Sequence, residues 1–227
     1  MLVPSESLWK IFLLLKFKSF EKKVMLIIGI AGGSGSGKTT VVNKIVDALP
    51  KNAVAVIPQD AYYYDNGHLT QEEKLQINFD HPNSIEWNLL NNHLDKLKKG
   101  ETISMPIYNY VTCARAEETI SVEPKKVIIV EGILILNNPE LRKRLNIKLF
   151  VSTENDDRLI RIIRRDIIER GRSYKDVLEH YETYVKPMHQ QFIEPSKRHA
   201  NVIIPEGGKN QVAIDMVVSR IKMNLNI

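Results

Sequence analysis

Five short runs in this chain place apolar residues side by side with little alternation. They are Met25 to Ala31 (MLIIGIA), Ala53 to Ile57 (AVAVI), Val127 to Val130, Ile147 to Val151 and Val202 to Ile204. A half-buried strand alternates apolar and polar positions, so runs of this kind and length predict parallel strands covered on both faces. Helical stretches separate them. One follows Lys38 and reaches Leu49; another starts at Thr70, which has the form of an N-cap. Ser84 is the expected cap of a helix running through Leu97 and ended by Lys98-Lys99-Gly100. Leu141 to Leu145, Arg158 to Arg170 and Lys175 to Tyr184 read as helices, the last stopping before Pro187. A terminal helix runs through Ile221. Residues 101–123 read as extended pieces, ISMPIYNY and ETISV, forming a β-hairpin or small lobe. Strands alternating with helices predict an α/β protein: a three-layer αβα arrangement around a doubly wound parallel five-stranded sheet.

At 227 residues the chain fits one domain with a sizeable core. Its net charge of +5 is tempered by 27 acidic residues, and the excess sits at the N-terminus and in residues 142–172. Neither nucleic acid nor membrane is the expected partner. A single cysteine, Cys113, excludes an internal disulfide framework and fits a reducing cytoplasm. Histidine and cysteine show no zinc-ligand spacing. Residues 1–24 differ in composition from the rest of the chain. Leu8 to Phe20 (LWKIFLLLKFKSF) holds an apolar run of five between Lys10 and Lys16, too short to span a membrane. It is read as an extension upstream of a start at Met25, with a basic membrane-surface helix as the alternative. The domain is therefore placed at 25–227.

The first strand leads into the stretch that carries chemistry. Gly32 to Thr39 (GGSGSGKT) fits G-x-x-x-x-G-K-[ST], the phosphate-binding loop. Glycines there let successive N–H groups converge on phosphate oxygens, and the helix starting near Lys38 points its positive end at the same anion. Gly32, Gly33, Ser34, Gly35, Ser36, Gly37, Lys38, Thr39 and Thr40 are the candidate nucleotide-binding residues. Lys38 is suited to the β- and γ-phosphates and the Thr39 hydroxyl to Mg²⁺. The second strand ends in Pro58-Gln59-Asp60 and the third in Glu131-Gly132. Carboxylates on that rim lie where open α/β sheets bind ligands, although either could simply close a strand. The N-K-x-D of guanine-specific proteins is missing from the sequence.

Arg158, Arg161, Arg165 and Arg172 fall on one sector of a helix if it continues past Gly171; Arg164 and Arg170 lie off it. A solvated basic face, paired with Asp157, Asp166 and Glu169, is one reading. Beside a phosphate loop the other is a lid whose arginines, Arg165 and Arg170 foremost, stabilise charge on a transferring phosphoryl group.

Together GIAGGSGSGKTT, QDAYYYD, NFDHP, PIYNY, VEGIL, RRDIIERGR, YVKP and IIPEGG-KN, in that order, resemble the uridine kinases of the phosphoribulokinase and uridine kinase group. The resemblance implies a P-loop kinase with a hairpin lobe and an arginine-rich helical lid. It implies phosphorylation of the 5′-hydroxyl of uridine or cytidine by ATP, or by GTP, with Mg²⁺. It further implies Asp60 as the catalytic carboxylate, Glu131 with Thr39 and Asp60 at the metal, and Asp80 at the ribose diol. Tyr108 and Arg172 fall at further nucleoside contacts, and Gly207 to Asn210 near the adenine. Four departures stand out, the first being Tyr64 where a lysine or arginine is usual in the Y-Y-K/R segment. Tyr108-Asn109-Tyr110 replaces a common Y-D-Y/F; Cys113 stands where the family commonly has a base-reading histidine; and His180 stands for a glutamine facing the base. Cys113 either meets the base weakly or packs as a small apolar residue. A homo-oligomer, dimer or tetramer, is the implied assembly. The readings weighed against this one are a kinase for pantothenate or a sugar phosphate, and a nucleotide-binding regulator without turnover.

Overall fold

The computed structural model describes residues 25–226; the extension expected at 1–24 lies outside the described residues. In chain order the strands are β1 (Leu26–Ala31), β2 (Val54–Pro58), β3 (Ile103–Asn109), β4 (Ala114–Val122), β5 (Val127–Gly132), β6 (Ile147–Ser152) and β7 (Val202–Pro205). The helices are α1 (Lys38–Asp47), α2 (Gln71–Leu75), α3 (Trp87–Lys98), α4 (Pro139–Arg144), α5 (Asn155–Ile168), α6 (Tyr174–His180) and α7 (Gln211–Leu225). The main sheet has the order β2-β5-β1-β6-β7, every neighbouring pair parallel. β1 is central, and all six of its residues are buried.

The unbroken apolar runs have a direct cause in this arrangement. Successive side chains leave a strand on opposite faces, and each face of this sheet carries a core. Ile27, Ile128 and Val130 point into one core, shared with Leu90, Leu94 and Leu97 of α3. Ile28, Ile30 and Ile129 point into the other, with Val41 and Ile45 of α1 and Ile214, Val218 and Ile221 of α7. Each such side chain stabilises the fold by about 1.5–3 kcal/mol relative to exposure. β3 and β4 stand apart as an antiparallel hairpin with a bulge between Pro106 and Tyr108.

Thr70 caps α2 through a full capping box with Glu73. Ser84 does not cap α3, which starts at Trp87. The Ser84 hydroxyl instead donates to the carbonyls of Phe79 (3.0 Å) and His81 (2.7 Å), closing the NFDHP turn. The helical path after α6 does not stop before Pro187. It continues through widened π-type turns at Tyr181–Val185 and His189–Ile193, each just ahead of a proline, Pro187 and Pro195. A proline cannot close an ordinary helical hydrogen bond, and a wider turn in the preceding residues accommodates it.

Candidate active site

β1 delivers the chain into the loop 32–37, and α1 starts immediately after it at Lys38. Gly35 (φ +74°) and Gly37 (φ +90°) hold left-handed conformations that L side chains rarely adopt. A Cβ at Gly33 would overlap the Arg158 guanidinium. The Ser36 N–H donates to the Gly33 carbonyl (3.1 Å), which also accepts from Lys38 Nζ (3.1 Å). The Lys38 amine thus curls back across the loop. Burial pulls its pKa down, while Glu131 and then Asp60 push it back up. Ser36 is fully buried, its hydroxyl without a protein partner among the described residues. Thr39 is exposed at the start of α1. Thr40 turns its methyl against Gly208, whose carbonyl accepts from Lys44 Nζ (2.8 Å). The 206–210 loop is thereby pinned against α1 and the phosphate loop.

The arginines divide by role. Arg161 Nη1 donates to the Gly35 carbonyl (3.2 Å) and Arg165 Nη1 to Ser34 Oγ (3.4 Å). Arg158 is 1% exposed, lies under Gly33 and reaches His189 Nδ1 at 2.8 Å. Burial, then Arg158, lowers the His189 pKa to about 4, so the ring is a neutral acceptor. The helix does not carry Arg172 onto the same face. α5 ends at Ile168, and Gly171 (φ +65°) reverses the chain. Arg172 folds back instead, donating from its backbone N–H to the Asp166 carbonyl (3.1 Å) and approaching Asp166 Oδ2 (3.4 Å). Buried Asp166 also pairs with Arg165 (2.8 Å) and Arg170 (3.4 Å). Arg164 is exposed.

Across the loop lie the carboxylates. Asp60 follows β2 in a tight turn, Gln59–Tyr62. Glu131 is the last residue but one of β5, in register with Ile30 on one side and Pro58 on the other. Burial raises the Glu131 pKa, and Lys38 opposes that rise. Asp80 is buried in the NFDHP turn, its N–H held by Asn78 Oδ1 (3.1 Å). Burial, then Asp60, pushes its pKa up to about 6. Tyr63 packs edge-on to Phe79 (5.0 Å between centroids) and against Tyr108 (5.2 Å), and Tyr108 meets Tyr110 (5.6 Å). Burial pushes the Tyr108 hydroxyl up to about 12.

Lys38, Asp60, Asp80, Glu131 and Arg165 therefore share one electrostatic environment. Cys113 and His180 lie at its margins. Cys113 sits in the hairpin turn at φ +52°, its thiol 3.6 Å from the Tyr110 carbonyl. His180 ends α6 beside Tyr184 (5.4 Å), its pKa lowered by burial and then by Arg172. Asn109 uses its side-chain oxygen to accept from the N–H groups of Val111 (2.8 Å) and Thr112 (3.2 Å), closing the turn.

The sequence pattern does not single out one residue of the site. The Tyr110 hydroxyl donates to Asp60 Oδ2 at 2.6 Å, and the Arg170 guanidinium lies 5.5 Å above its ring. Tyr110 lies just past the end of β3, in the turn before β4, so no strand periodicity marks it in the sequence. As for Mg²⁺, no cluster of three or more His, Cys, Asp or Glu side chains able to hold a metal occurs among the described residues. Thr39, Asp60 and Glu131 offer oxygen donors, the type that Mg²⁺ takes.

Residues 27–213 match the profile of the Phosphoribulokinase / Uridine kinase family. The chain belongs to this family. It is 51% identical over 201 residues to the uridine kinase of Clostridium novyi (strain NT), covering 88% of this chain and 97% of that one. It is 52% identical over 197 residues to the uridine kinase of Halalkalibacterium halodurans, covering 87% and 93%. A solved structure, a possible uridine kinase from Bacillus stearothermophilus, has the same fold (TM-score 0.51, 22% identity, covering 87% of this chain and 99% of that one).

Proposed function

We propose that the chain transfers the γ-phosphoryl group of ATP, with GTP as the alternative donor, to the 5′-hydroxyl of uridine or cytidine. The observation that carries this reading is the convergence of Asp60 and Asp80 on the side of the phosphate loop that Lys38 faces. Relatives half identical over nearly the whole chain carry the name uridine kinase and point the same way.

In this reading the loop N–H groups and Lys38 hold the phosphates, and Arg165 with Arg170 stabilises negative charge on the group in transfer. A positioned carboxylate can orient a hydroxyl and take its proton late in the transfer, and that is the part assigned to Asp60. Thr39, Glu131 and Asp60 would hold Mg²⁺, which when bound neutralises charge on the β- and γ-phosphates. Asp80 accepts both hydroxyls of a ribose cis-diol. Tyr108 borders the sugar, and Arg172, His180 and Cys113 lie toward the base. The α5–α6 segment acts as the lid. A cytoplasmic homo-oligomer completes the reading, supported by the single cysteine and the family resemblance.

A nucleoside panel assayed by ADP release with Mg·ATP tests it. Uridine or cytidine should turn over, and deoxyuridine should lose at least tenfold in kcat/KM because Asp80 is left partly unpaired. No turnover with any pyrimidine ribonucleoside would refute the assignment. Equal kcat/KM for uridine and deoxyuridine would remove Asp80 from the diol.

A further inference from the structure

Asp60 has the position of the carboxylate that receives an acceptor hydroxyl, and in the structure a hydroxyl is already on it. Tyr110 donates its phenolic O–H to Asp60 Oδ2 at 2.6 Å, the short separation of a charge-assisted bond. The donor comes from an element built to bring it there and let it leave. Tyr110 opens the turn between β3 and β4; the turn is closed locally by Asn109 Oδ1 and by the Cys113 thiol on the Tyr110 carbonyl. The ring is 45% exposed, and its neighbour Val111 is 90% exposed. To swing outward Tyr110 gives up only edge contacts with Tyr63 (6.2 Å between centroids) and Tyr108 (5.6 Å) and the contact with Arg170. From the other side the Arg170 guanidinium lies over the ring at 5.5 Å and is itself tied to Asp166 (3.4 Å). The hairpin tip and the segment after α5 thus meet over the catalytic carboxylate.

We infer that Tyr110 is an acceptor-selectivity residue: its hydroxyl occupies Asp60 in place of an acceptor hydroxyl, keeps water off that carboxylate, and yields to the nucleoside. The reaction it suppresses is the hydrolysis that any phosphoryl-transfer site risks. A water oxygen bonds to the γ-phosphorus, the bond from that phosphorus to the β,γ-bridging oxygen breaks, ADP departs, and the water proton passes through Asp60 to solvent. ATP and water then give ADP, phosphate and a proton. Water is smaller than a nucleoside and always present, so shape alone cannot exclude it from an open site. A tethered hydroxyl with the same donor pattern can.

The inference rests on Asp60 serving the acceptor, as proposed above, and its test separates the two. Tyr110→Phe keeps the ring, its aromatic neighbours and the contact with Arg170, and removes only the donor. With Mg·ATP and no nucleoside, Tyr110→Phe should hydrolyse ATP at least threefold faster than wild type. Titrated calorimetrically with uridine in the absence of ATP and Mg²⁺, it should bind about three- to tenfold more tightly, because no Tyr110–Asp60 bond must then be given up. Tyr110→Leu should raise hydrolysis in the same direction. A role confined to holding Asp60 in place would lower turnover and binding together. Unchanged or slower hydrolysis in Tyr110→Phe overturns the inference, as does an unchanged or weaker uridine Kd. Failure of the wild type to phosphorylate any pyrimidine ribonucleoside would instead overturn the assignment of the acceptor.

Discussion

A methyl group at position 33 would collide with the guanidinium of Arg158, which would have to shift. Its side chain is long, but it is 1% exposed and held at 2.8 Å by His189. Gly33 therefore meets a packing demand beneath the loop besides the phosphate-binding role proposed for it. Gly33→Ala should destabilise the protein by about 1–3 kcal/mol, the usual range for overpacking, and weaken ATP binding. A thermal melt and an ATP titration check both, and an unchanged melting temperature would mean that the guanidinium yields freely. Asp80 makes a second claim at this scale, with the sign set by its raised pKa. Between its ordinary value near 4 and about 6, the folded protein holds a proton on Asp80 that the unfolded chain lacks. This group therefore adds stability as pH falls through 6 toward 4 and withdraws it as pH rises. Nucleoside binding uses the ionised carboxylate and should run the other way, weakening below about pH 6. Calorimetric titrations at pH 5 and 7.5 read this directly, and Asp80→Asn should remove the Asp80 contribution.

Among the elements, the hairpin carries two of the departures from the implied family pattern, at Asn109 and Cys113. Asn109 in place of aspartate changes little locally, because its side-chain oxygen still accepts from Val111 and Thr112. Cys113 is different. It stands at φ +52°, a conformation in which histidine is tolerated better than most side chains, and it neighbours Tyr108 and Tyr110. Cys113→His should raise kcat/KM for uridine or cytidine by about two- to tenfold, the worth of one neutral hydrogen bond, without changing ATP affinity. Unaltered kinetics for both would leave the thiol as turn packing. The elements also mark where the sequence is readable. The central strands β1 and β5 are legible because burial on both faces leaves a run of apolar residues, whereas the apolar run of β7 predicts cover on both faces and this edge strand buries only Ile204. The start of α3 is not, because Ser84 has the chemistry of a cap and spends it on the NFDHP turn. The helical path past Pro187 is hidden because the widened turns that accommodate the prolines leave no mark in composition. Arg172 is tied to Asp166 by folding back past Gly171, not by helical spacing, so its place is not legible from the arginine pattern. Lys38 and Asp60 are identifiable from a motif and a strand end, whereas the Tyr110–Asp60 bond joins residues fifty positions apart and has no sequence pattern of its own.

At the scale of the whole molecule, the sheet order explains why these pieces meet. β1 lies between β5 and β6, so the chain leaves it toward both edges, and the crevice at such a switch point is where α/β sheets bind ligands. The ends of three adjacent strands supply the candidate site: β1 the loop 32–37, β5 Glu131, and β2 Asp60. The hairpin reaches in from one side, and α5 with the helical path after it from the other. Both cores and every residue assigned to the site fall between Met25 and Leu225, with Met25 itself packed against one core. Among the described residues no helix is long and apolar enough to cross a membrane. Removal of residues 1–24 should accordingly leave turnover and melting temperature within experimental error of the full chain. Both are measured on the two proteins side by side, with Mg·ATP and uridine for the first. A melting temperature lowered by several degrees would mean that the extension packs against the fold. Loss of activity at an unchanged melting temperature would place the extension at the site or in an assembly the site requires. Either result would move the domain boundary upstream of Met25.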